Sequence, residues 1–154
     1  MSVTEQLREQ ILDLIHREVV LATGCTEPGA VALAVAKAKE TLGAEPQSVT
    51  LRLSKNVFKN AMGVGIPGTG MIGLPIAVAM AVTAGDSARG LETLNLTSGQ
   101  IDTAKEWLAI HSDAIDIQVC DSADKLYIEC LCHKDADTAR TVISGRHTRF
   151  TLIA

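Results

Sequence analysis

The residues with the most chemical potential in this sequence are Gly24, Cys25, Thr26, Glu27 and Pro28, a polar turn between a charged amphipathic segment and a long run of alanine and valine. Proline suits the first turn of a helix, where its missing N–H would go unpaired anyway, so a helix is expected to begin near Thr26 or Glu27. Cys25 then stands at the helix mouth. Unpaired backbone N–H groups and the positive end of the helix dipole favour a thiolate there, with Glu27 opposing them in part. Two readings fit these residues: a reactive thiol, or a small buried cysteine in a tight turn capped by a hydroxyl.

Residues 63–70 form the other chemically suggestive stretch, with glycine at 63, 65, 68 and 70. Glycines so placed let backbone N–H groups converge on an anion without Cβ atoms in the way. Gly63, Gly65 and Gly68 also satisfy G-x-G-x-x-G, and Asp86 lies near the distance of a ribose-binding acid. That fingerprint, however, must directly follow a strand, and Lys55, Asn56, Lys59 and Asn60 intervene. A carboxylate cradle aided by Lys55 or Lys59 is the favoured reading, with a turn that only packs as its rival. Cys130, Cys132 and His133 imitate a metal motif, yet the two thiols share a strand face with Leu126 and Ile128 and are expected to fill the core. His16 and His111 read as solvated helix residues. His147, at the start of the last strand, receives no role from spacing alone.

The elements that must position these residues follow from periodicity. Leu7, Ile11, Leu14, Ile15 and Val19 form one stripe of a first helix ending before Gly24. A second helix, 29–42, carries no charge in its first two turns, and a third, 71–84, carries none at all. Val49, Leu51 and Leu53 alternate with polar residues as a half-buried strand does. A short helical piece is expected over 87–94 and a helix capped by Thr97 or Ser98 as far as about His111. Strands over 115–119 and 125–132 read as a hairpin around residues 121–124, followed by a modest helix over 135–144 and a last strand over 147–153. Helices first and strands mixed with helices later make an α+β domain, its mixed or antiparallel sheet of about four strands packed with several helices, two of them apolar. Those two apolar helices need cover, and a partner domain is the simplest source.

At 154 residues the chain is expected to form a single domain spanning 1–154. A net charge of -4 without a basic run excludes an electrostatic nucleic-acid or anionic-membrane binder, and 3% aromatic content is too little for base stacking. The opening residues lack the pattern of a signal peptide, and apolar runs fall short of the roughly 20 residues a bilayer requires. The expectation is a cytoplasmic protein whose four cysteines are thiols.

Gly24 to Pro28 with the Ala/Val helix behind them, and then residues 59–75 from Lys59-Asn60-Ala61-Met62 through the glycine-rich run to Leu74-Pro75, resemble the L-cysteine desulfidase family, which is related to iron–sulfur L-serine dehydratases. His147-Thr148 resembles the family's His-Thr-Asn element, with Arg149 in place of the Asn. The resemblance covers only the front part of a family member. It implies β-elimination of L-cysteine to sulfide, ammonia and pyruvate, with Cys25 as the base that takes the Cα proton and Glu27 and Thr26 orienting it or shuttling protons. Asn60, Gly68 and Thr69, with Lys59, would hold the substrate carboxylate. It also implies a four-iron four-sulfur cluster whose ligands lie outside this chain, in a cluster-binding domain or subunit, so no metal ligand is expected here, nor pyridoxal phosphate or NAD. Alternatives are the small domain or subunit of an L-serine dehydratase and, in another class, a non-catalytic ligand-binding or assembly module. A homo-oligomer stays open.

Overall fold

In the computed structural model, which describes residues 3–12, 26–122 and 124–154, the elements in chain order are α1 (3–12), α2 (Thr26–Leu42), β1 (Ser48–Ser54), α3 (Lys55–Met62), β2 (Gly65–Ile66), β3 (Met71–Ile72), α4 (Leu74–Ala84), a 3-10 strap (Ser87–Leu94), α5 (Ser98–His111), β4 (Ile115–Cys120), β5 (Tyr127–Lys134), β6 (Asp137–Ser144) and β7 (Phe150–Ile153). Five strands form a mixed sheet in the order β4-β1-β5-β6-β7, and β2 pairs with β3 in a separate two-stranded ribbon. The class is α+β, as the order of periodicities implies.

β1 is an interior strand of this sheet, between β4 and β5, and its period-2 pattern offers Val49, Leu51 and Leu53, all fully buried, to one face. On one side β4 runs parallel to it, Leu51 opposite Ile117; on the other β5 runs antiparallel, Leu51 opposite Cys130. The expected hairpin of β4 with β5 is therefore not formed: β1 lies between them. A second correction concerns residues 135–144. They form β6, not a helix, pairing with β5 through a two-residue turn in which Asp135 takes φ 52°. Thr138, Thr141, Val142 and Ile143 are β-branched and favour the pleated conformation.

α2 lies against the buried face of β5 and β6, and the Thr141 hydroxyl, itself fully buried, donates to the Ala34 carbonyl of the helix at 2.8 Å. α4 packs on α2, and α5 on α4. Ala30 to Ala36 of α2 and Ile76 to Val82 of α4 are buried, so this chain itself covers the two charge-free helices and their apolarity calls for no partner domain. Burial of a Val, Leu or Ile side chain in this stack contributes roughly 1.5–3 kcal/mol. α4 starts at Leu74 with Pro75 in its first turn, three residues later than its periodicity predicts, because Met71 and Ile72 are taken by β3. Thr97 caps α5 in a reciprocal capping box with Gln100.

The opposite face of the sheet carries Glu129, almost wholly buried, between Arg52 of β1 and Arg140 of β6. Burial pushes the Glu129 carboxyl up, but the hydrogen bonds and charges of Arg140 and Arg52 outweigh it and hold the group below its ordinary value.

Candidate functional site

The first turn of α2 is where distant parts of the chain meet. Glu27 opens that turn, a favourable place for an acid. Cys25, immediately before it, lies outside the described residues. The β6–β7 connection turns at Gly145, whose φ of 81° a side chain would strain, and brings His147 back across the sequence to α2. His147 Nε2 stands 3.0 Å from Thr26 Oγ1 and 3.3 Å from Glu27 Oε1, and the Thr26 hydroxyl lies 3.5 Å from Glu27 Oε2. These contacts are satisfied together when Nε2 carries a proton: it donates to the threonine oxygen and the carboxylate, while the threonine hydroxyl donates to the carboxylate. The Glu27 side chain is 16% exposed and that of His147 34%, so the cluster can exchange protons with solvent while resting on a helix end. An ion pair forms when the imidazole is protonated.

The glycine-rich run is the β2–β3 ribbon. Gly65 pairs with Ile72 and Ile66 with Met71, so G-x-G-x-x-G here joins two short strands and not a strand to a helix. Thr69 is buried within the turn: its hydroxyl donates to the Ile66 carbonyl at 2.7 Å and accepts from the Met71 N–H at 2.9 Å. The Thr69 hydroxyl thus shapes the ribbon. Gly68 takes φ 78°, which favours glycine, and a Cβ there would come within 2.9 Å of the Ile101 Cδ1 tip.

Between this ribbon, the first turn of α2 and the strap lies a cavity of about 410 Å³, lined by Pro28 and Gly29, by residues 64–68 and by Leu91, Glu92, Leu94, Asn95, Leu96 and Ile101. The strap sits tightly on the helix: a Cβ on Gly29 would fall 2.8 Å from the Leu91 carbonyl oxygen. Of the sequence-derived site residues, the structure brings Thr26 and Glu27 together with His147 and places Gly68 in the cavity wall. Lys59 and Asn60 are exposed on α3 and do not line the cavity. The partnership of His147 and the contribution of the strap were not deducible from spacing; residues 87–94 read only as a short helical piece.

Cys130 and Cys132 are fully buried on the core face, their sulfurs 3.9 Å apart. Burial and the neighbouring Cys132 push the Cys130 thiol well up. Among the described residues no three His, Cys, Asp or Glu side chains are grouped to hold a metal ion, and these core thiols do not fit an iron–sulfur cluster. No helix among the described residues is long and apolar enough to cross a membrane.

The chain is similar to UPF0597 proteins of several bacteria: 50% identical over 148 residues to that of Parabacteroides distasonis (96% of this chain, 34% of that protein), 53% over 149 residues to that of Phocaeicola vulgatus (96% and 34%), and 49% over 143 residues to that of Aeromonas salmonicida (92% and 32%). The chain thus spans about a third of the length of the curated relatives it matches. No family model matches it, and no solved structure does.

Proposed function

We propose that this chain is the substrate-binding and base-donating domain of a cytoplasmic lyase that β-eliminates L-cysteine to sulfide, ammonia and pyruvate, with L-serine as the alternative substrate. The observation that carries this reading is the contact of His147 with Thr26 and Glu27, two residues after Cys25, beside a cavity walled by the glycine-rich ribbon. A thiolate at Cys25 takes the Cα proton, and the electron pair of the breaking Cβ–S bond leaves with sulfur. The enamine that remains is hydrolysed to pyruvate and ammonia. Glu27 and His147 carry the proton from the thiol to solvent, and Thr26 fixes the tautomer that makes the relay possible. Gly68, in the cavity wall, offers backbone to the substrate carboxylate. The four-iron cluster implied by the resemblance finds no fitting ligands among the described residues of this chain; they belong to the further two thirds present in the relatives, or to a separate subunit.

The test is a chimera in which this chain replaces the matching third of the Parabacteroides distasonis protein, assayed anaerobically for sulfide and pyruvate from L-cysteine. Turnover that is lost on Cys25→Ala, with the fold retained, supports the proposal. Unchanged turnover removes Cys25 from the mechanism, and saturable amino-acid binding without any turnover favours a non-catalytic module.

A further inference from the structure

We propose that the cavity between α2, the β2–β3 ribbon and the strap is the side-chain pocket for an amino-acid ligand, and that it is built for an apolar or thioether side chain larger than that of cysteine. The inference rests on the reading above in taking an amino acid as the ligand. At about 410 Å³ the cavity lies within the range of roughly 300–1,000 Å³ that encloses ligands much bigger than cysteine. Its walls are apolar: Val64, Ile66, Leu94, Leu96 and Ile101 face the space, and a serine hydroxyl among them would lose its water without gaining a partner. A sulfur carrying an alkyl group meets no such penalty.

The polar side chains in the lining are Glu92 and Asn95. Glu92 of the strap and Asn95 just after it are exposed and line the same cavity, giving a carboxylate to an α-ammonium group. Gly65, paired with Ile72 in the ribbon, lines the cavity with open space where a Cβ would stand, so no side chain narrows the chamber there. The seat of Leu91 against Gly29 fixes the wall between them, so the cavity width is set by packing and not by a loose loop. A carboxylate for the ammonium group at the edge of an apolar chamber suits an amino acid with a sizeable apolar side chain.

Calorimetric titration of this chain with S-ethyl-L-cysteine, L-cysteine and L-serine tests the proposal. Each buried methylene is expected to tighten binding about fourfold, so S-ethyl-L-cysteine should bind at least about tenfold tighter than L-serine. Val64→Phe, which fills the chamber, should weaken S-ethyl-L-cysteine at least about fivefold and leave L-serine within about twofold; Leu96→Phe serves the same purpose if the first variant fails to fold, and Glu92→Gln should weaken all three ligands. Equal affinities for the thioether and serine, no saturable binding of any ligand, or indifference of S-ethyl-L-cysteine to a filled chamber would overturn the pocket. The lyase reading fails separately. Selective thioether binding by this chain with no sulfide release by the chimera keeps the pocket and removes the enzyme, and sulfide release from L-cysteine without thioether selectivity does the reverse.

Discussion

Replacing His147 separates a structural contact from a chemical one. His147→Ala deletes a hydrogen bond of 3.0 Å to Thr26 and a contact of 3.3 Å to Glu27. Net hydrogen bonds are worth about 0.5–1.5 kcal/mol, and an ion pair with the histidine 34% exposed adds well under 1 kcal/mol after screening. The total, about 1–2 kcal/mol, amounts to a fall of about 2–8 °C in the melting temperature of a domain this size. Proton transfer by a positioned side chain is worth far more, about 10²–10⁴-fold in rate. In the chimera, His147→Ala should therefore lower kcat for L-cysteine by at least about a hundredfold while melting shifts only slightly. His147→Gln is the control: its amide can still donate to Thr26 but cannot carry a proton through the neutral range, so it should restore the melting temperature and not the turnover. Circular dichroism melts and anaerobic sulfide assays read the two quantities. Turnover within threefold of the parent for either variant would refute the relay and leave His147 as a clasp between the β6–β7 turn and α2.

Glu129 predicts an acid response. Its carboxyl is held below the ordinary value of 4.5, so its stabilisation is fully present above that value and is lost as pH falls through the lower folded value. Glu129→Gln should cost about 1–3 kcal/mol at pH 7, since both arginines are nearly half exposed, and should flatten the decline below pH 4.5; urea midpoints between pH 3 and 7 that run parallel in the two proteins would contradict this. Gly29→Ala poses a contest of sign. Alanine favours a helix by about 1 kcal/mol, but a Cβ 2.8 Å from the Leu91 carbonyl should outweigh that and destabilise by about 1–3 kcal/mol, and a raised melting temperature would show that the strap is not seated as described.

Where a segment's own pattern decides its structure, the sequence was informative. The alternation in residues 48–54 gave β1, Thr97 gave the start of α5, and the charge-free runs gave α2 and α4. What failed was pairing. Period 2 says that residues 115–120 and 127–134 are strands but not that β1 separates them, because that choice depends on a non-local ladder more than sixty residues away. Residues 137–144 misled for a different reason: Asp, Ala and Arg near the start resemble a helical turn, and the β-branched residues that settle the matter gain their energy only against β5 and α2. At the site, Thr26 and Glu27 were legible from the helix mouth and Gly68 from the glycine spacing. The reach of His147 was not, since nothing local records which turn of another element a loop will touch. Thr69 was expected to hold the substrate carboxylate on the strength of the family resemblance; in space its hydroxyl is buried in the ribbon, bonded to Ile66 and Met71.

The distribution of the thiols sharpens the case for chemistry at the start of α2. Burial and the adjacent Cys132 hold Cys130 towards its protonated form, and burial followed by the charge of Glu129 raises Cys120. Cys132 is wholly enclosed on the same core face as Cys130. A thiolate is the nucleophilic and basic form of the side chain, so the surroundings of Cys120 and Cys130 work against thiol chemistry, and the enclosure of Cys132 keeps it from solvent. Cys25 lies outside the described residues; in sequence it directly precedes Thr26 and Glu27, which the structure places against His147 at the start of α2. The three described cysteines thus serve packing and a sheet edge, and the proposed thiol chemistry falls to Cys25, which the Cys25→Ala chimera tests directly.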